Sequence, residues 1–203
     1  MRHLRTKWLR FRIVGLGLFL AGTMSSYGHA VATPTETVQG LLDSVKILSE
    51  SPKGNPDPEA IKRISQMMDI RGVSKTCLGS YWGGLPAAEQ KAFARLFQDL
   101  LEKVAYPKSA KFFKDTKVEM GEMSVQTEKA RVPTTVTHQK EGLVEVEYGL
   151  QLVDGKWLIN DVVLDGVSLV EDLRSQMQKI IKEKSYEELK RKLNEKLKEE
   201  VAS

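Results

Sequence analysis

The apolar period of this chain changes twice, and that alternation narrows its fold more than any single motif does. Val38, Leu41, Leu42, Val45 and Leu48 recur at helical spacing between Thr37 and Ser49. Phe93, Leu96, Phe97, Leu100, Leu101 and Val104 repeat the pattern between Pro86 and Tyr106, with charged and amide side chains opposite. From about residue 117 the period is two. Ala130, Val132, Thr134 and Val136 share one strand face, and Val144, Val146, Tyr148, Leu150 and Leu152 share another. A helical period returns with Val170, Leu173, Met177, Ile180 and Ile181. Helices, an antiparallel meander and more helices make an α+β domain whose four- to five-stranded antiparallel sheet is flanked by helices.

Local signals set the boundaries. Asp57 caps and Pro58 opens a helix whose stripe is Ile61, Ile64 and Met68. Gly72 to Trp82 reads as short helix and turn, and Pro107 is expected to end the Pro86–Tyr106 helix. Val118, Met120 and the Met123–Val125 segment make an irregular first strand. Pro133 marks an edge or a bulge. Asp154-Gly155 is a two-residue hairpin signal. The strand from Trp157 to Leu164 is apolar on both faces, so it is expected to be covered on both sides. Capping boxes Ser168-x-x-Glu171 and Ser185-x-x-Glu188 open two final helices. The last offers only Leu189, Leu193 and Leu197 as an apolar stripe. It reads as a solvated helix with i,i+4 charge pairs, or alternatively as a docking helix for a partner.

The first thirty residues stand apart. Residues 1–12 are strongly basic, Ile13 to Met24 is an uncharged apolar run, and small residues follow at Gly28, Ala30 and Ala32. This is the layout of a cleaved signal peptide over 1–30, too short in its apolar part to span a membrane. An exported chain beginning near Val31 or Thr33 is expected, with a main domain over 31–184 and the charged helix over 185–203. The net charge of +4 comes from the leader: without its five basic residues, 26 basic side chains face 27 acidic ones. A nucleic-acid binder keeps its basic footprint in the folded part, so that class is disfavoured.

Groups able to do chemistry are scarce. Cys77 is the single cysteine, which excludes a disulfide framework, and it reads as a buried apolar side chain. His138 is the one histidine beyond the leader. No metalloprotease, P-loop, nucleophile-elbow or dinucleotide pattern is present, so no catalytic residue, metal or cofactor is expected. Asp69, Asp161 and Asp165 are isolated. Asp161 interrupts an apolar strand and needs a cation or backbone donors; Arg174 is the expected structural partner.

Two blocks carry a resemblance. One is Val73 to Trp82 with Leu78-Gly-Ser-Tyr-Trp82, then Pro86-Ala-Ala-Glu-Gln90, Phe93, Phe97, Leu100, Leu101 and Tyr106. The other is Lys156-Trp157-Leu-Ile-Asn-Asp161-Val with Gly166-Val-Ser168 and Arg174-Ser-Gln176. Together they resemble the MlaC, or toluene-tolerance, family over most of residues 35–185. Met177 departs from the aromatic more usual there, and the tail after residue 184 matches weakly.

The resemblance implies a non-enzymatic periplasmic phospholipid carrier of an ABC-type lipid transport system. It would shuttle lipid between an outer-membrane lipoprotein-porin complex and an inner-membrane complex of MCE protein and ABC transporter. An apolar lipid pocket would lie inside the fold, and hopanoid-type cargo is a variant of the same reading. For its lining the pattern nominates Val144, Val146, Tyr148 and Leu150 on one strand, Trp157 and Ile159 on the next, and Phe97, Leu101 and Val104 on the facing helix. Taken singly, each reads first as an ordinary core residue; as a set they are expected to include some pocket-lining positions. The competing class is an enzyme on a cone-shaped α+β scaffold, for which Asp161 or Tyr148 would carry the chemistry. A structural adaptor using the charged last helix is a third.

Overall fold

The computed structural model describes residues 31–52, 55–140 and 142–201. The expected export segment lies outside the described residues. Helix α1 (Pro34–Glu50) begins three residues ahead of the Thr37 stripe, because Thr33 and Glu36 form a reciprocal capping box in front of Pro34. Helix α2 (Pro58–Met67) starts where Asp57 Oδ1 accepts from the Ala60 N–H at 2.8 Å. Helix α3 (Ile70–Leu78) is capped by Asp69, whose carboxylate accepts from the Gly72 N–H at 2.8 Å. A Cβ on Gly72 would lie 1.9 Å from that carboxylate, so the cap needs a glycine. Helices α4 (Ser80–Gly84) and α5 (Ala87–Leu100) follow.

Pro107 does not end the helical run. The chain makes a π-helical turn over Leu101–Ala105, then continues as α6 (Tyr106–Phe113) with Pro107 in its first turn. The Tyr106 N–H donates to the Leu101 carbonyl, five residues back. A proline lacks the N–H donor and its ring presses on the carbonyl four residues back. The wider turn ahead of Pro107 absorbs both defects. The inserted residue also rotates the apolar face: Phe93 and Phe97 before it and Tyr106 and Ala110 after it enter different cores.

The sheet is antiparallel throughout: β1 (Lys117–Met120), β2 (Ser124–Gln126), β3 (Lys129–His138), β4 (Gly142–Val153), β5 (Lys156–Leu164) and β6 (Val167–Ser168). The order is β1-β3-β4-β5-β6, with β2 on the same flank of β3 as β1. Pro133 therefore sits in an interior strand, at the gap between β1 and β2. Its carbonyl accepts there from the Gly121 N–H at 2.8 Å, so the missing donor breaks no ladder bond. Asp154 and Gly155, with φ of +48° and +76°, make the expected tight hairpin between β4 and β5. The same dipeptide at Asp165-Gly166, with φ of +45° and +83°, turns β5 into β6, a second tight hairpin. Helices α7 (Leu169–Glu183) and α8 (Tyr186–Val201) close the chain.

Two hydrophobic cores result. In the sheet core, α1, α2 and α6 bring Val38, Ile64 and Tyr106 onto Val132, Val146 and Ile159 of the sheet. In the helical core, α3, α4, α5, α7 and α8 bury Cys77, Trp82, Phe93, Met177, Tyr186 and Leu189. Leu101, on the π-turn, packs against both. The link from α2 to α3 covers β5 where that strand would otherwise be a free edge: Met68 bridges to Ile159, and the Asp69 N–H donates to the Ile159 carbonyl at 2.8 Å. Among the described residues, no helix is long and apolar enough to cross a membrane.

Candidate functional site

Between α2 and the joint of the π-turn with α6 the surface opens into a cavity of about 1180 Å³. Drug-sized ligands occupy pockets of roughly 300–1,000 Å³, so this one suits a larger guest. Its floor is formed by buried or half-buried residues: Leu48, Ile61, Ser65, Ile70, Pro107 and Ala110. Leu48 and Ala110 belong to the sheet core and Ile61 packs against it, so the floor is the outer surface of that core. The exposed rim carries Pro52, Pro56 and Pro58 on one side and Lys62, Lys103, Lys111 and Lys114 around it.

The local sequence explains the lining. Pro58, Ile61, Lys62, Ser65 and Gln66 are spaced by three and four, which puts them on one face of α2. The π-turn brings Glu102 and Lys103 to the same cavity as Pro107, Ala110 and Lys111 of α6 and Lys114 at its C-cap. One polar cluster joins the two sides. Ser65 Oγ donates to Glu102 Oε1 at 2.8 Å, and Gln98 Nε2 donates to the same oxygen at 2.8 Å. The Tyr106 hydroxyl lies 3.4 Å from Ser65 Oγ, and burial pushes that phenol up to about 12, so it stays protonated. Glu200 of α8 reaches the cavity from the far side, held by Lys108 at 2.7 Å and Lys196 at 3.1 Å.

None of the nine nominated residues lines this cavity. Val146, Tyr148, Leu150 and Ile159 are buried in the sheet core, with Val144 and Trp157 at its margin. Phe97 lies in the helical core, Leu101 touches both cores, and Val104 is half-buried on the π-turn. The helix facing the strands is therefore not the Phe97 helix. Helix α5 packs on α3 and α8, while α1, α2 and α6 supply the helical side of the sheet core. Reading residues 86–106 as one straight helix concealed the rotation at the π-turn. Pro107 inside an otherwise continuous helical pattern was the signal available.

The Asp161–Arg174 pair does not form. Asp161 Oδ1 accepts from the N–H groups of Val162 at 2.8 Å and Val170 at 3.2 Å, and its Oδ2 accepts from Ser168 Oγ at 2.7 Å. The carboxylate thus satisfies the first turn of α7, where the helix end attracts negative charge. Arg174 is exposed and pairs with Glu171 one turn earlier, at 3.0 Å. Asp69 caps α3, and Asp165 Oδ1 accepts from the Glu145 N–H at 2.9 Å, so all three isolated aspartates hold backbone. Burial raises the Tyr148 phenol far above its ordinary range and pushes the Cys77 thiol up to about 11. His138 stacks on Phe112 with ring centroids 5.2 Å apart. Among the described residues, no group of three potential metal ligands comes together.

Comparison with known proteins adds three findings. Residues 36–195 match the family model described as MlaC protein. The toluene tolerance protein ttg2D of Pseudomonas putida is 24% identical over 162 residues, covering 72% of this chain and 72% of that protein. The fold matches that of the phospholipid-binding protein from Ralstonia solanacearum, solved in complex with a phospholipid, with a TM-score of 0.66 and 17% identity, over 82% of this chain and 96% of that one.

Proposed function

This chain belongs to the MlaC family, and from that premise we propose that it is a phospholipid carrier whose cargo sits in the cavity between α2 and α6. The observation that carries the reading is the cavity of about 1180 Å³, with its apolar floor on the sheet core and its polar, solvent-facing rim. That polarity matches a molecule with acyl chains at one end and a charged group at the other. The fold shared with a protein solved with phospholipid supports the same reading. The sheet core lies directly behind the floor. Val146, Tyr148, Leu150 and Ile159 are buried in that core and would meet the chain ends only if α1 and α2 moved off the sheet.

In its cellular setting the carrier would be periplasmic, its leader removed. It would exchange lipid between an inner-membrane MCE-protein and ABC-transporter complex and an outer-membrane lipoprotein-porin complex. The energetics fit a carrier that needs help to unload. Two acyl chains of roughly 15 methylenes each gain about 0.8 kcal/mol per buried methylene, a gross gain on the order of 20 kcal/mol. This is near the ceiling of non-covalent affinity before binding costs are subtracted. The two residues that an enzyme would use are otherwise engaged, Asp161 in the start of α7 and Tyr148 in the sheet core.

Protein purified without detergent is expected to yield about one phospholipid per chain on organic extraction and mass spectrometry. Protein that is lipid-free, and that also takes no lipid from vesicles, would overturn the reading. Extraction of a hopanoid in place of phospholipid would redirect it to that cargo.

A further inference from the structure

From the charge around the cavity mouth we infer that the carrier selects lipids with a net anionic headgroup over zwitterionic ones, an inference that rests on the carrier reading. Four lysines line the cavity, Lys62, Lys103, Lys111 and Lys114, against two glutamates, Glu102 and Glu200. The glutamates are engaged: Glu200 is bound by Lys108 and Lys196, and Glu102 accepts from Ser65 and Gln98. Three of the lysines are not: Lys103, Lys111 and Lys114 are in no ion pair among the described residues, whereas Lys62 pairs with Glu59 at 3.7 Å. Some lysines elsewhere are tied to acids, as Lys190 is to Glu89 and Glu187, while others, Lys91, Lys129 and Lys179 among them, are in no ion pair among the described residues; what sets the three rim lysines apart is that they line one cavity.

This positive rim belongs to a chain that, beyond residue 30, has 26 basic and 27 acidic side chains. The excess of cations at the cavity mouth is therefore local and does not reflect the chain's overall charge. The lysines are also placed by the fold: Lys103 stands on the π-turn, Lys111 follows on α6 and Lys114 at its C-cap, beside Pro107 and Ala110 of the lining. A concave surface with low-dielectric walls concentrates the field of such charges. Acyl chains on the Leu48–Ile61–Ala110 floor would leave the headgroup at the level of these ammonium groups. A phosphatidylglycerol-type headgroup brings net negative charge there. A phosphatidylcholine-type headgroup brings its own cation, which the rim repels.

The test loads the lipid-stripped protein from vesicles holding equal amounts of phosphatidylglycerol and phosphatidylcholine, then measures the ratio of the two in the reisolated protein. Both lipids come from one surface, so attraction of the protein to an anionic membrane does not bias the ratio. A lysine held near anionic lipid changes affinity by roughly fivefold, and the ratio for the wild type is expected to be above about five at low salt. It is expected to fall toward one as the Debye length shrinks from about 30 Å at 0.01 M salt to about 3 Å at 1 M. The triple variant Lys103→Gln, Lys111→Gln, Lys114→Gln changes only exposed side chains. It is expected to take less phosphatidylglycerol, which brings the ratio near one. A control replacing the exposed Lys91, Lys129 and Lys179 lowers the overall charge equally and should keep the preference. A wild type that loads both lipids equally overturns the selection while leaving the carrier reading intact. Loss of preference in the control as well as in the triple variant would assign it to overall charge and overturn the site. Failure to load either lipid would overturn both.

Discussion

The two cores lie side by side and end differently. The sheet core stops at an open cavity, whereas the helical core is closed over by α8, with Tyr186 and Leu189 buried beneath it. The difference follows from what each helix must pack against. A sheet satisfies its own backbone groups and offers a fixed apolar platform. Helices α2 and α6 can each bury one stripe on that platform without filling the space between them. In a core made only of helices, each stripe must find another stripe, and a gap would leave apolar surface uncovered. Under the carrier reading, the open region is where a guest would enter.

The sharpest way to break this comparison is to damage the closed core alone. Phe93 is 1% exposed in the middle of it. Phe93→Ala is expected to destabilise the protein by about 3–5 kcal/mol in urea unfolding. The lipid carried per folded chain should not change. Loss of cargo from chains that remain folded would show that the two regions act as one.

Next in size is the seat of α7. Asp161→Ala removes a side chain that accepts two backbone N–H groups and the Ser168 hydroxyl, and is expected to cost about 1–3 kcal/mol. Arg174→Met should fall within about 0.5 kcal/mol of wild type, since it loses only an exposed pair with Glu171. The double variant should match Asp161→Ala. Partial recovery of stability in the double variant would bring back the Asp161–Arg174 pair that the geometry excludes.

Much of this architecture was legible in the residues. The period change near residue 117, the Asp57-Pro58 start and the Asp154-Gly155 hairpin are local signals, and each formed where it was read. The MlaC resemblance was also carried by sequence blocks, and the family match spans residues 36–195. The cavity was not legible, because it depends on a register slip. A helical stripe predicts its face only while the period holds. One π-turn ahead of Pro107 sends Phe97 to one core and Tyr106 to the other. The nominated strand residues lie in the sheet core or at its margin, and core and pocket residues have the same composition. What distinguishes the cavity is the distance between two helices, and no residue in the sequence encodes that alone.

A smaller effect on stability, with a large one on cargo, is expected on the open side. Ile61 is half-buried on the cavity floor. Ile61→Arg should cost less than about 1.5 kcal/mol, because the new side chain can extend into the open space. Bound lipid should nonetheless fall below a tenth of the wild-type amount, since a cation would then stand among the acyl chains. Full cargo in this variant would move the lipid site away from the α2 face and toward the sheet seam. Equal damage from Ile61→Arg and Phe93→Ala in urea would mean that the cavity floor is as tightly packed as the closed core.

The smallest expected effect concerns the clamp that closes the helical core. Glu89 on α5 accepts from Lys190 Nζ at 2.8 Å and from the Tyr186 hydroxyl at 3.0 Å, both on α8. The Lys190 hydrogen bond first, and then that of Tyr186, hold the Glu89 carboxyl below its ordinary 4.5. A carboxylate with a lowered folded-state pKa adds stability above its unfolded value and loses it as pH falls through the lowered one. The closed core should therefore loosen at α8 as the solution passes from about pH 5 toward pH 3. The pair is partly exposed and screened, so the contribution is expected to stay under about 1 kcal/mol. Glu89→Gln isolates it. Wild type should be the more stable at pH 7, and the difference should shrink on acidification and in high salt, while bound lipid is unchanged at neutral pH. A gap between the two proteins that stays constant from pH 7 to pH 3 would show that the carboxylate's charge has no part in holding α8 down.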